Sequence, residues 1–143
     1  MPQLKGRTIV SGELKATAIV SSQPINFLAS FAKTLIFKKK KGVVEDKHHP
    51  LHGKDIKGKI LVVPQSIGST TGGLVLMGII LAGVAPAAIV CEQADSLMAS
   101  GAIMAEVWYG VKMPLIDSIR WQDLARIEDG EVISITANGT VDC

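Results

Sequence analysis

From Gly72 to Val90 no position carries a charged side chain. An uncharged run of about 18 residues is long enough to be a candidate membrane-spanning helix. Gly83 and Pro86 interrupt this one, and a proline inside a helix removes a hydrogen bond and clashes with the preceding turn. The pattern therefore predicts a buried helix to about Ala82, a turn, and a buried strand over Ala87-Ala88-Ile89-Val90. Just upstream, Lys59 to Val63 reads as a compact apolar strand closed by Pro64, and the Ser66 to Gly73 turn leads from it into the helix. A strand, an uncharged helix and a second strand in succession call for an α/β core that covers all three.

The flanks are richer in β signals. Arg7 to Val20 carries β-branched residues in partial alternation, punctuated by Gly6 and Gly12, and predicts two short strands. Ser21-Ser22-Gln23-Pro24 is a turn signal leading to Ile25-Asn26-Phe27-Leu28 and an apolar stretch that ends in Lys38 to Lys41, a lysine-rich loop over about 33–41. Ser96 to Tyr109 is helical in composition but weakened at Gly101, and Pro114-Leu115-Ile116 predicts another strand. Glu131 to Ile135 alternates, and Asn138-Gly139 is a hairpin signal. The expected fold is a single domain over 1–143, a compact α/β arrangement with helices packed on a mixed sheet or barrel. Aromatic residues make up only 4%, so Val, Ile, Leu and Ala must fill the core.

Fifteen basic against 13 acidic residues give a net charge of +2, too balanced for a nucleic-acid surface. Two cysteines, Cys91 and Cys143, make no disulfide framework. No charged start precedes an apolar segment, so the expectation is a cytoplasmic chain without a membrane span.

Chemistry concentrates in Gly68-Ser69-Thr70-Thr71-Gly72-Gly73. Glycines let the backbone approach a ligand closely, and Thr70 or Thr71 can cap the helix. A helix start favours an anion or a side chain made transiently anionic, which makes Ser69 the first candidate for catalysis. Residue by residue, Ser69 as a simple N-cap remains the alternative. The turn lacks the lysine of a phosphate-binding loop. It also lacks the Gly-x-Ser-x-Gly spacing of a nucleophile elbow. His48, His49 and His52 share one loop, but their spacing fits no helix-borne metal motif, so satisfied or exposed histidines are expected and no metal ligand is assigned. Glu92, Asp95 and Glu106 read as helix caps and solvated faces, or as the rim of a site at the carboxyl ends of strands.

The chain also resembles a known family. Gly6-Arg7 with Ser11-Gly12, Pro24 to Leu28, His49-Pro50-Leu51 with Gly53, and Gly58 to Pro64 look like the aconitase X swivel domain. So do Gly68-Ser69-Thr70-x-Gly72, Ala85 to Val90 and Gly101-Ala102-Ile103-x-Ala105. The resemblance implies a swivelling β/β/α domain acting as the small subunit of a hydro-lyase that removes water from a β-hydroxy carboxylate. It implies Ser69 as the base taking a proton from the carbon beside the carboxylate, with Gly68, Thr70, Thr71 and Gly72 around the substrate. It places iron or an iron–sulfur cluster on a large partner subunit, where the metal assists hydroxide departure, and it leads us to expect an apolar docking patch on this chain. Gly101 to Pro114, and Gly72-Gly73-Leu74, resemble members that dehydrate cis-3-hydroxy-L-proline more than those acting on mevalonate 5-phosphate. Lys38 to Lys41 would suit a phosphate and pull the other way, and Ala29-Ser30-Phe31 departs from the Gly-Gly-Val-Asp usual after Phe-Leu. A non-catalytic anion- or partner-binding module would use the same turn without proton transfer.

Overall fold

The structure, a computed structural model, describes residues 3–68 and 70–143; Met1, Pro2 and Ser69 lie outside the described residues. In chain order the elements are β1 (Gln3–Lys5), β2 (Arg7–Val10), β3 (Leu14–Val20), α1 (Phe27–Ile36), β4 (Ile60–Val63), α2 (Thr71–Leu81), β5 (Ala88–Cys91), α3 (Ser96–Tyr109), β6 (Leu115–Asp117), α4 (Trp121–Leu124), β7 (Val132–Ile135) and β8 (Thr140–Asp142). They build one eight-stranded mixed sheet in the order β1-β8-β7-β3-β4-β5-β6-β2. The centre, β3-β4-β5-β6, is parallel; β2 closes one side antiparallel, and β7, β8 and β1 continue the other.

Parallel strands covered on both faces read as continuous apolar runs, and β4 and β5 are buried at every position. Alternation splits each run between two cores. Leu61, Val63, Ile89 and Cys91 meet α1, α2 and α3 on one face. Ile60, Val62, Ala88 and Val90 meet Leu124, Ile133 and Val141 on the other. At roughly 25 cal/mol per Å² of apolar surface, each fully buried Ile or Leu contributes about 1.5–3 kcal/mol, so these two strands anchor the domain.

One residue bends the sheet. β1 and β2 are separated only by Gly6, yet they stand at opposite ends of the strand order. The sheet therefore curls into a half-barrel until its two edges meet at that glycine. Gly6 N–H donates to Gly139 O at 2.9 Å, and Ser11 Oγ donates to Ala137 O at 3.1 Å. A Cβ on Gly6 would lie 2.5 Å from Asp117 O, so no larger residue fits at this seam.

Two expectations need correction. The segment after Pro24 is a helix, α1, capped by Asn26, whose Oδ1 accepts from Ala29 N–H at 3.0 Å. Residues 33–36 are its last turn, not loop; the irregular chain begins at Phe37, and Lys38 takes a left-handed φ of 50°. Gly101 does not weaken α3, which runs unbroken through it. Among the described residues no helix is long and apolar enough to cross a membrane.

Candidate functional site

The turn that the sequence singles out leaves the carboxyl end of β4 and is held from both sides. Ile25 N–H donates to Gln65 O at 3.0 Å and Ile67 N–H to Ile25 O at 2.9 Å, pinning the turn to the segment that enters α1. Gly68 has a φ of +119°, a backbone state that L side chains rarely adopt. A Cβ there would also come within 3.2 Å of Asn26 Oδ1, so the turn runs directly over the α1 cap. On the other side Asp95, the N-cap of α3, accepts from Met98 N–H at 2.8 Å through Oδ1 and from Ser66 Oγ at 2.6 Å through Oδ2.

Three helices thus begin around one loop: α1 at Asn26, α3 at Asp95, and α2 out of the loop itself. Each start carries about half a positive charge from the aligned peptide dipoles, which at α3 is offset by the capping Asp95 carboxylate. Thr70 occupies the N-cap position of α2 with helical φ and ψ, but its side chain makes no capping hydrogen bond. The threonine cap expected from the sequence is absent, and the Thr70 side chain, which is exposed, is not tied to the helix. Thr71 opens α2, and Gly72 is buried in its first turn. Asp95 ties α3 to the loop, so Asp95→Ala is expected to cost about 1–2 kcal/mol, read as a lower denaturant midpoint at unchanged slope. Asp95→Asn, which keeps an acceptor for Met98 N–H, is expected to lose less.

Space at the loop is limited on one side and open on the other. Between Ser66, Gly72 and Asp95 the crevice has about 10 Å³, room for roughly one water. Around Thr70, Leu74, Leu97 and Met104 a groove of about 170 Å³ opens between α2 and α3. Among the described residues neither lining includes a lysine or an arginine. Leu74 on α2, and Ile103, Val107, Trp108 and Tyr109 on α3, are exposed. Leu74 adjoins the loop, whereas Val107, Trp108 and Tyr109 lie in the last turn of α3, about 18 Å or more along the helix from its Asp95 cap.

The other candidates lie elsewhere. Lys38 to Lys41 follow the far end of α1, whose ten residues span about 15 Å from the Asn26 cap. A cleft of about 350 Å³ beside Lys38 and Lys57 belongs to that far end and does not reach the loop. His49 is buried: Nδ1 accepts from Leu51 N–H at 3.1 Å, which leaves Nε2 to donate to Gln23 O at 3.3 Å. Glu92 caps α4, accepting from Trp121 N–H at 2.8 Å, and Glu106 pairs with Lys112 at 3.7 Å. Cys91 ends β5 with its thiol pushed well above the ordinary range, first by burial and then by the charges of Asp117 and Asp95.

One pair escaped the sequence reading. Asp117, at the carboxyl end of β6, is 2% exposed and receives Arg7 in a two-pronged contact, Nε and Nη2 each at 2.9 Å. Burial pushes its carboxyl up, but hydrogen bonds from Arg7, Ala94 N–H and Ser118 outweigh it and hold the group below the usual carboxylate range. A β-strand register that pairs residues 110 positions apart leaves no local signal for such a contact.

Known proteins of similar sequence and shape bear on this site. A small-subunit chain of phosphomevalonate dehydratase from Thermococcus sibiricus is 36% identical over 136 residues, covering 95% of this chain and 93% of that one. Cis-3-hydroxy-L-proline dehydratase of Pseudomonas aeruginosa is 33% identical over 132 residues, 88% of this chain but only 22% of that longer protein. The crystal structure of Thermococcus kodakaraensis aconitase X in its holo-form superposes with a TM-score of 0.84 at 32% identity, covering 99% of this chain and 98% of that chain. The fold, a mixed α/β half-barrel with packed helices, is that of a dehydratase subunit. The chain belongs to the aconitase X swivel domain family, whose pattern matches residues 3–143.

Proposed function

We propose that this chain works as the small subunit of an iron-dependent hydro-lyase that removes water from a β-hydroxy carboxylate, with Ser69 as the proton-abstracting base. The observation that carries the reading is the convergence of three helix starts on the loop that holds position 69. A serine hydroxyl is a weak acid and a poor base unaided. Asn26 and the Asp95 carboxylate already cap α1 and α3, so the start of α2, which has no side-chain cap, is the dipole available to favour the alkoxide, and a preorganised dipole needs no rearrangement when charge develops. Ser69 then takes the proton from the carbon beside the carboxylate, hydroxide leaves the next carbon, and the products are an unsaturated acid and water. The backbone of Gly68 and Gly72, and the hydroxyls of Thr70 and Thr71, line the approach.

The metal belongs to a partner. Among the described residues no three His, Cys, Asp or Glu side chains stand together as a ligand set, and His49 has both ring nitrogens engaged. These described residues do not offer a ligand set for an iron centre, and in this reading the chain acts on substrate and proton while the partner holds the iron. The exposed face around Leu74, Val107, Trp108 and Tyr109 suits a large protein partner, because aromatic anchors carry much of the binding energy at interfaces.

Support for the substrate divides. Seven small-subunit relatives named phosphomevalonate dehydratase point to mevalonate 5-phosphate, and the longer Pseudomonas aeruginosa protein points to cis-3-hydroxy-L-proline. The loop linings, which include Asp95 and, among the described residues, no Lys or Arg, favour a zwitterionic amino acid over a phosphorylated acid, and the lysine run follows the opposite end of α1. We therefore place cis-3-hydroxy-L-proline first. The test is co-expression with the large subunit, purification of the iron-loaded complex, and NMR observation of water loss from each acid in turn. Conversion of cis-3-hydroxy-L-proline supports the full reading, and conversion of mevalonate 5-phosphate alone reverses the substrate order. A correctly assembled complex that converts neither leaves the chain a binding module.

A further inference from the structure

Arg7 is where the structure points beyond that reading. The carboxyl ends of β4, β5 and β6 form the crest from which the loop rises, and ligands of open α/β sheets bind outside such ends. Among the described basic residues, Arg7 and Arg120 flank that crest, whereas Lys59 stands at the opposite end of β4 and Lys38 to Lys41 at the far end of α1. The two arginines are held differently. Arg120 meets Asp123, three residues along its own short turn, through one contact at 3.4 Å. Arg7 is gripped through Nε and Nη2 by a carboxylate that is itself buried and fixed by two further donors, Ala94 N–H and Ser118 Oγ.

That grip connects to the loop. Asp117 Oδ2 accepts from Ala94 N–H at 3.1 Å; the next residue, Asp95, accepts from Ser66 Oγ at 2.6 Å. Arg7, Asp117, Ala94-Asp95 and Ser66 thus form one hydrogen-bonded line across β2, β6, the start of α3 and the loop. The Arg7 side chain is nevertheless 66% exposed. A guanidinium has five N–H groups, and Asp117 engages two, leaving the Nη1 pair and one Nη2 proton directed away from it. An arginine in a fixed orientation with a free fork is suited to two-point recognition of a carboxylate.

We propose that Arg7 is the residue on this chain that receives the substrate's carboxylate, with Asp117 as the positioning residue that aims it. The proposal rests on the dehydratase reading for the identity of the ligand and extends it by assigning the recognition of the acid group.

The test uses the assembled complex and two readouts, calorimetric binding and turnover. The probes are cis-3-hydroxy-L-proline, mevalonate 5-phosphate, and the alcohol of each in which a hydroxymethyl group replaces the carboxylate. Arg7→Gln is expected to weaken binding of the acid that the wild type binds by roughly tenfold to a hundredfold and to raise KM in step, with a smaller change in kcat. Binding of the matching alcohol should be unchanged. Arg7→Lys should recover part of the loss, Asp117→Asn should give an intermediate KM, and Arg120→Gln should behave as wild type. Equal binding of the acid by wild type and Arg7→Gln overturns the assignment even where turnover establishes the dehydratase reading. Arg7-dependent binding without turnover of either acid supports the assignment and sinks the reading. No binding of either acid by the wild-type complex sinks both.

Discussion

Replacing Ser69 by alanine is expected to lower turnover of the assembled complex by at least about a hundredfold, and by up to about ten-thousandfold, the range that a positioned general base contributes. The proton in question sits on carbon, where water is a slow acceptor, and alanine offers no oxygen to take it. Nothing nearby substitutes. Among the described lining residues Asp95 is the only carboxylate, and both its oxygens are committed, one to Met98 N–H and the other to Ser66 Oγ. Assembly and substrate affinity should survive, because the change deletes one oxygen from a turn whose path is fixed by Ile25, Asn26 and Asp95. The capping alternative predicts the opposite pattern: a stability loss of about 1 kcal/mol with most activity intact. Steady-state kinetics of the complex, with a thermal melt of the same sample, separates the two.

How much of this was legible beforehand follows from which forces act locally. The apolar runs of β4, α2 and β5 and the breaks at Pro64 and Pro86 are local, and the elements fall where the sequence puts them, with β5 shifted by one residue to Ala88–Cys91. Gly6 and Gly12 rightly punctuate strands, but that Gly6 joins the two ends of a curled sheet is a matter of topology. The first helix was readable in principle: Asn26 is a favoured N-cap and Lys33 sits suitably in the last turn. Ser30, Lys33 and Thr34 also recur at helical spacing, but Ser30 and Thr34 are buried, so the polar stripe does not mark the solvent face as it would on an ordinary surface helix. At the site, the glycine turn announces itself through composition. Of its supports, Asp95 is readable as a cap or rim residue, whereas the approach of Asn26 to Gly68 and the bond from Ala94 N–H to Asp117 cross sheet and helix contacts that no spacing encodes.

Gly101→Ala is expected to destabilise the domain, although alanine is the better helix former by about 1 kcal/mol. The reason is the closeness of α2 and α3. A Cβ on Gly101 would stand 2.5 Å from Gly73 O, and one on Gly73 would stand 2.6 Å from Leu97 O. Both obstacles are backbone oxygens, which cannot swing aside as a side chain can, so the helices must part. Overpacking of this kind costs about 1–3 kcal/mol, occasionally more, enough to outweigh the propensity gain. A net loss of about 2 kcal/mol corresponds to a melting temperature lower by roughly 4–8 °C for a domain of this size. Gly72, one position before Gly73 and also in α2, provides the contrast: a Cβ there meets nothing within 4 Å. Gly72→Ala should therefore leave stability unchanged or raise it by about 0.4–1 kcal/mol. The helices that Gly101 holds together also carry the loop, since Gly73 lies three residues after Thr70. Activity of a Gly101→Ala complex should thus fall even at temperatures where the subunit remains folded. A Gly101→Ala domain that melts at or above the wild-type temperature would mean that α2 and α3 are not in backbone contact at Gly73 and Gly101.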